Sequence, residues 1–110
     1  MSDKKLTTKL GTTRAGERTR IWIEGARLVA HGFKVGGKFH KVWADGKLTI
    51  TAVTEKEWEE LEHAARGKVS GKGEKPIIDI TGVKVSETFK GTHVAVVYRE
   101  GRITITNAEG

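Results

Sequence analysis

The sequence predicts a mainly β domain, of the β-rich α+β class, in which one strand, turn and hairpin unit occurs twice. The segments Ile21-Trp-Ile-Glu-Gly and Ala44-Asp-Gly-Lys-Leu-Thr-Ile-Thr recur as Ile78-Asp-Ile-Thr-Gly and Arg99-Glu-Gly-Arg-Ile-Thr-Ile-Thr. Two such copies are too few for a stacked solenoid, and each is too small to be stable alone. We therefore expect the copies to close into one pseudo-twofold barrel or sandwich, bridged by one amphipathic helix.

Residues 1–19 are predicted to be a flexible basic N-terminal arm. The segment is polar, and Leu6 and Leu10 are its larger aliphatic residues, so it has little apolar surface to bury. Such an arm becomes ordered on a polyanion, and the alternative is an ordinary frayed terminus.

The first β repeat is predicted over residues 20–53. Ile21 and Ile23 alternate with polar or exposed positions, which is typical of a half-buried strand, and Gly25 ends it. Leu28 then falls in a short helical segment that ends near Gly32, a residue suited to a left-handed cap.

Two β-hairpins are the strongest structural predictions. In residues 38–44, Phe39, Lys41 and Trp43 share one face of a strand, and the dipeptide Asp45-Gly46 follows as a type I′ turn signal. The second β repeat, residues 77–107, has the same device at Glu100-Gly101.

Residues 54–76 are predicted to hold a bridging helix and a Gly/Pro linker. Thr54-Glu-Lys-Glu has the form of a capping box and predicts a helix over 55–66, with Trp58 on its apolar face. Two glycines, a serine and Pro76 in residues 68–76 are typical of a linker. Residues 20–107 are expected to form one domain.

Composition excludes several classes of protein. The chain has 110 residues and no cysteine, which predicts one domain without disulfides. It has no run of 18 apolar residues and no apolar signal core, so we expect no membrane partner and a cytoplasmic location. The four histidines have no metal-ligand spacing, and no nucleophile or acid/base pattern is present, so we predict no metal, cofactor or catalytic residue.

The positive charge is unevenly distributed. The net charge is +6, with 11 Lys/Arg against 4 Asp/Glu in residues 1–54 and 9 against 10 in residues 55–110. A concentrated basic region favours a polyanionic partner, because phosphate contacts release counterions. The alternative is that the charge serves solubility.

The segment from Arg20 to Ile50 resembles the SymE-type toxin family of the swapped-hairpin, AbrB/MazE-like superfamily. The shared pattern is a strand ending in Gly25, a turn containing Leu28, the Gly32-Phe33 pair and a hairpin closing on Gly46. The resemblance implies an interlocked, swapped-hairpin-like barrel, here formed by one chain, and a DNA-binding face of basic strand and loop residues. Thr88 replaces Gly32 in the second copy, so that helix end must differ.

The candidate polyanion-binding residues come from the arm and the first repeat, where Arg and Lys are concentrated. The side chains of Arg and Lys bind phosphate groups. The candidates are Arg14, Arg18, Arg20, Trp22, Arg27, Lys34, Lys38 and Lys41. Trp22 either stacks on a base or is buried under the Trp58 helix.

The expected function is duplex DNA binding, as a transcriptional regulator or a nucleoid-associated factor, by a monomeric pseudo-dimer or a homodimer. One alternative is a SymE-like RNA-cleaving toxin, for which His40 and His93 would be acid/base candidates. Another is a small protein-binding inhibitor or adaptor that uses its charge on an acidic protein.

Overall fold

The protein consists of two antiparallel sheets and three short helices. The computed structural model describes residues 4–9, 11–12, 19–73, 75–81, 83–89 and 93–107. The large sheet has the order β1-β9-β10-β5-β4-β6, and the small sheet has the order β2-β3-β8-β7. The strands are β1 (Lys4–Lys9), β2 (Gly11–Thr12), β3 (Thr19–Glu24), β4 (Lys38–Ala44), β5 (Lys47–Val53), β6 (Arg66–Lys68), β7 (Ser70–Lys72), β8 (Lys75–Thr81), β9 (His93–Arg99) and β10 (Arg102–Asn107). The helices are α1 (Ala26–Ala30), α2 (Glu55–Glu59) and α3 (Val83–Thr88), with a 3₁₀ turn at His63–Ala65.

This architecture confirms a mainly β protein, and its strand pairing makes the sequence duplication a structural pseudo-twofold. In the small sheet, Ile21 pairs with Ile80, and their repeat counterparts Ile78 and Ile23 pair with each other. In the large sheet, β5 and β10 pair in the same way, with residues of one repeat opposite residues of the other. The pairs there are Leu48 with Ile105, Thr49 with Thr104, and Ile50 with Ile103. Each repeat therefore contributes equivalent strands to both sheets.

The two hairpins are interlocked with the helical turns of the opposite repeat. The Gly101 N–H of the second hairpin donates to the carbonyl oxygen of His31 after α1, at 2.8 Å. The Tyr98 ring lies 5.4 Å from the His31 imidazole, and the Trp43 ring of the first hairpin lies 6.2 Å from the Phe89 ring of the second repeat. Aromatic contacts at such distances stabilise packing. Neither repeat can complete its own core.

The core lies between the two sheets and draws on both repeats. Alternation along the strands sends every second side chain inward, and these side chains are almost wholly apolar. The buried cluster contains Ile21, Ile23, Leu28, Phe33, Phe39, Leu48, Ile50, Val69, Ile78, Ile80, Val85, Phe89, Val94, Val96, Tyr98, Ile103 and Ile105.

Both predicted hairpins are confirmed, with different turns. Asp45 and Gly46 have φ values of 53° and 73°, as a type I′ turn requires. In the second hairpin, Gly101 has a φ of 69°, but Glu100 has no positive φ. Asp45 is the only non-glycine residue with positive φ in the described part of the chain. Glu100 avoids the left-handed region, so the second turn is of another type.

The prediction of a closed barrel is wrong. The two sheets stack as open layers, and their edge strands β6 and β7 are joined through Val69 rather than by a continuous ladder. Val69 is buried, and its amide donates to the carbonyl oxygen of Gly37 at 2.8 Å. The chain thus turns a corner from one sheet to the other where the barrel would have closed.

The segments outside the repeats also differ from the predictions. Within the predicted arm, Lys4–Lys9 pairs with β9 and Gly11–Thr12 pairs with β3, because the sheet edges offer unpaired backbone groups. Residues 1–3, 10 and 13–18 lie outside the described residues. The end of the predicted helix and the predicted linker instead contain β6 and β7, which extend the two sheets in the same way on the other side of the pseudo-twofold.

The bridging helix is shorter than predicted. Its capping box is confirmed, since the Thr54 hydroxyl accepts from the Glu57 N–H and the Glu57 carboxylate accepts from the Thr54 N–H. The helix ends at Glu59 rather than 66, because the Arg66 side chain donates to the carbonyl oxygens of Glu59 and Leu61. These bonds satisfy the carbonyl groups that a longer helix would have used.

We predict that Gly67→Ala destabilises the protein by about 1 to 3 kcal/mol, a typical cost of overpacking a core. Gly67 pairs with Phe39, and a Cβ atom at Gly67 would overlap the Phe39 ring. Urea denaturation measures the change. Gly46→Asn is the matched control, because Gly46 has open space around it and Asn tolerates positive φ. Equal stability of the two variants would contradict the described packing of β6 on β4.

Candidate functional site

The structure does not bring the candidate residues of the sequence together. Arg14 and Arg18 lie outside the described residues. Arg20 and Trp22 lie on the small sheet, and Arg27 and Lys34 lie exposed on α1 and just after it. Lys34 contributes to the wall of an open groove of about 900 Å³ along α1. The remaining two candidates lie on β4, on opposite faces of the large sheet.

Arg20 forms an ion pair with the Asp79 carboxylate. Its Nε lies 3.0 Å from Asp79 Oδ1 and its Nη2 lies 3.3 Å from Asp79 Oδ2. Its guanidinium carbon lies 4.8 Å from the centre of the Trp22 ring. The Arg20 charge is therefore balanced by Asp79 at the place where an unpaired cation was predicted.

Trp22 lies on the solvent-facing side of the small sheet, with 37% of its surface exposed. It pairs with Asp79 at the centre of the pseudo-twofold ladder. The alternative that Trp22 is buried under the Trp58 helix is wrong, because Trp58 packs on the large sheet and donates its indole N–H to the Gly67 carbonyl oxygen at 2.9 Å.

Lys38 is also engaged within the protein. Its ammonium lies 3.5 Å from Glu55 and 5.1 Å from the centre of the Trp58 ring, and its side chain is 17% exposed. Contacts with α2 therefore occupy Lys38. At the start of that helix, hydrogen bonds from the Thr54 backbone and then its hydroxyl lower the pKa of Glu57.

The strands of the large sheet carry cations and no acidic residues. The six strands of the large sheet contain 10 Lys/Arg and no Asp/Glu, whereas the rest of the chain has 10 Lys/Arg and 14 Asp/Glu. The hairpins of both repeats pair in this one sheet, and six of these ten cations come from residues 1–54. The second repeat supplies Arg99 and Arg102.

The outward face of the large sheet forms a symmetric patch, which we call the sheet face. Burial alternates at the starts of β5 and β10, and the strand register extends this division of inward and outward positions to β4 and β9. The sheet face consists of Val42, Lys47, Thr49 and Thr51 with their repeat counterparts Val97, Arg102, Thr104 and Thr106.

Lys47 and Arg102 are exposed cations at equivalent positions of the two repeats, and Arg99, opposite Arg102 on β9, is a further exposed cation on the same side. Neither Lys47 nor Arg102 was among the residues predicted from the sequence. Neither forms an ion pair with another described residue. Each lies two residues before the central Thr49–Thr104 pair, on antiparallel strands. At about 3.4 Å per residue and 4.8 Å per strand, their Cα atoms are about 14 Å apart. Their matching positions after the two predicted hairpin turns were the signal that could have identified them.

Lys41 points to the opposite side, into a pocket of about 330 Å³ that we call the Lys41 pocket. Its wall residues are Lys41, Trp43, Glu62, Ala64, Ala65, Ile80, Thr81 and Lys84. The repeat counterpart of Lys41 is Val96, which is fully buried in the core. Among the described residues, Lys41 has no ion pair or hydrogen bond, and burial lowers the pKa of its ammonium.

The described residues provide neither a metal site nor a membrane-spanning helix. No group of three or more His, Cys, Asp or Glu side chains is placed to hold a metal ion in this part of the chain. None of its helices has the length and apolar character needed to cross a membrane.

We predict that Lys41→Val raises the free energy of unfolding at pH 7 by about 1 kcal/mol, because it replaces an unpaired cation with the apolar residue of the other repeat. The pKa of Lys41 in the folded state is below its ordinary 10.5, so the folded protein releases this proton first. The loss of stability caused by the charged Lys41 ammonium is therefore complete below the pKa that Lys41 has in the folded state. This loss decreases as the pH rises towards 10.5.

Denaturation of wild type and Lys41→Val at pH 7 to 10.5 tests this prediction, and their stability difference should narrow as the pH rises. Glu62 and Lys84, the other ionisable groups of the pocket, are common to both proteins. The exposed residue Lys72 provides the control Lys72→Val, for which no such narrowing is expected. A pH-independent difference for Lys41→Val would contradict the burial of a charged amine.

No family model matches the chain, and no curated protein or solved structure is significantly similar to it.

Proposed function

We propose that this protein binds duplex DNA through the sheet face, with Lys47 and Arg102 in contact with phosphates. The observation that carries the proposal is the separation of charge, since the strands of the large sheet contain 10 Lys/Arg and no Asp/Glu. Acidic groups are the main source of repulsion for a phosphate backbone, and they are concentrated elsewhere in the chain. Basic surfaces of this kind bind polyanions through counterion release.

The pseudo-twofold favours a duplex over a single strand. The two strands of DNA are antiparallel and related by local dyads, and proteins with twofold symmetry match this relation. Lys47 and Arg102 are repeat counterparts on either side of the Thr49–Thr104 pair. Their separation of about 14 Å is close to the width of the major groove, about 12 Å, so that each cation faces a different strand.

The remaining residues of the sheet face suit backbone contacts. Thr49, Thr51 and their counterparts offer four hydroxyl groups, and hydroxyls commonly donate to phosphate oxygens. Val42 is 41% exposed and provides an apolar contact at the margin. Backbone contacts of this type position a protein on DNA with little dependence on sequence.

The role we propose is that of a cytoplasmic nucleoid-associated factor or transcriptional regulator, as the resemblance to AbrB/SymE-like proteins implies. The proposal differs from the expectation of a first-repeat face, because it uses equivalent residues of both repeats.

We predict that Lys47→Ala/Arg102→Ala weakens duplex DNA binding by about 50-fold at 0.1 M salt, because two phosphate contacts and their counterion release are lost. The slope of log K against log salt should decrease in magnitude by about 1.8, at about 0.9 per phosphate. Fluorescence anisotropy with a labelled duplex at 0.05 to 0.3 M salt measures both quantities.

Two double variants with the same change in charge serve as controls. Lys56→Ala/Lys72→Ala removes exposed cations from α2 and the small sheet, and should leave the affinity within about twofold of wild type. Arg20→Ala/Arg27→Ala removes cations of the predicted first-repeat set, and a loss confined to this variant would place the DNA there instead. Binding of single-stranded RNA in preference to duplex DNA, or no duplex binding at 0.05 M salt, would refute the proposal.

A further inference from the structure

Lys41 occupies a position at which the other repeat has a buried apolar side chain. It lies between Phe39 and Trp43 on the inward face of β4, and its repeat counterpart Val96 is 0% exposed. A cation without a partner at such a position lowers stability. Departures from core packing rules of this kind occur at functional sites.

The pocket around Lys41 is assembled from both repeats. Lys41 and Trp43 come from β4, Ile80 and Thr81 from β8, and Lys84 from α3. Glu62, Ala64 and Ala65, from the segment after α2, line another part of its wall. Two lysine residues thus line one pocket together with a tryptophan and a threonine.

These groups match the chemistry of an aromatic ligand with an acidic group. The Lys41 and Lys84 ammoniums can neutralise a phosphate or carboxylate, and the Thr81 hydroxyl can donate to one of its oxygens. Trp43 offers an apolar ring for stacking, while the Glu62 carboxylate can accept from an amino or sugar hydroxyl group. A volume of about 330 Å³ is at the small end of the range for ligand sites, so the pocket accommodates one such unit.

We propose that the Lys41 pocket binds a small aromatic anion, of which a nucleoside 5′-monophosphate is the representative. Lys41 and Lys84 hold the anionic group, and Trp43 stacks on the ring. The site is separate from the sheet face, because Lys41 and Val42 point to opposite sides of β4. A bound mononucleotide and bound duplex DNA are therefore compatible, and the pocket does not depend on the proposed DNA binding.

Isothermal titration calorimetry with three probes tests the proposal: adenosine 5′-monophosphate, adenosine, and inorganic phosphate. The monophosphate should bind at least about 10-fold more tightly than either fragment, because only it engages both the ammoniums and the indole. Lys41→Val should weaken its binding by about 10-fold or more without loss of thermal stability, and Trp43→Leu should weaken it while leaving phosphate binding unchanged. The exposed substitution Lys72→Val is the charge-matched control and should have no effect.

Several outcomes would overturn the proposal. They are equal affinity for wild type and Lys41→Val, binding of inorganic phosphate as tight as that of the monophosphate, and no heat of binding for any probe at millimolar concentration. Displacement of labelled duplex DNA by the monophosphate would also overturn it, since it would place the nucleotide on the sheet face. Loss of DNA binding in Lys47→Ala/Arg102→Ala with nucleotide binding retained would show that the two sites stand independently.

Discussion

The pairing of β5 with β10 is the interaction on which the rest of the structure depends. It joins the two hairpins into one sheet, and its apolar inward residues face the β3–β8 pair of the other sheet. The ladder also determines where charge appears. Every Lys or Arg that either hairpin places on its outward side falls on one shared surface, and the strands of this sheet contain no acidic residue.

Local patterns in the sequence predicted the elements of this fold but not their closure. Alternation, the Asp45-Gly46 turn and the Thr54 capping box depend on neighbouring residues, so they can be recognised without a structure. The corner at Val69 and the pairing of Lys4–Lys9 with β9 depend on backbone groups left free at distant sheet edges. No short pattern in these segments specifies such partners, and both were therefore interpreted as arm or linker.

The sequence identified a region rich in cations but not the surfaces on which those cations lie. The excess of Lys and Arg falls in residues 1–54, and strand pairing distributes these residues between different surfaces. Arg20 is a clear case, because its partner Asp79 lies 59 residues away and only the pairing of β3 with β8 brings them together. The duplication carries more information when the two copies are aligned residue by residue. Lys47 and Arg102 are cations at equivalent positions, whereas Lys41 has the apolar counterpart Val96.

The pairing of β1 with β9 has a consequence for how the chain is made. Lys4 lies opposite Tyr98 and Lys9 opposite His93, so β1 pairs with a strand that is synthesised more than 80 residues later. Contacts so distant along the chain slow folding, because a long loop must close before they form. During synthesis the first repeat has no matching half within its own nascent chain, and a second nascent or unfolded molecule offers the same complementary strands. Dilution and chaperone binding during folding therefore favour pairing of the two repeats within one chain, whereas crowded refolding favours exchange of repeats between molecules.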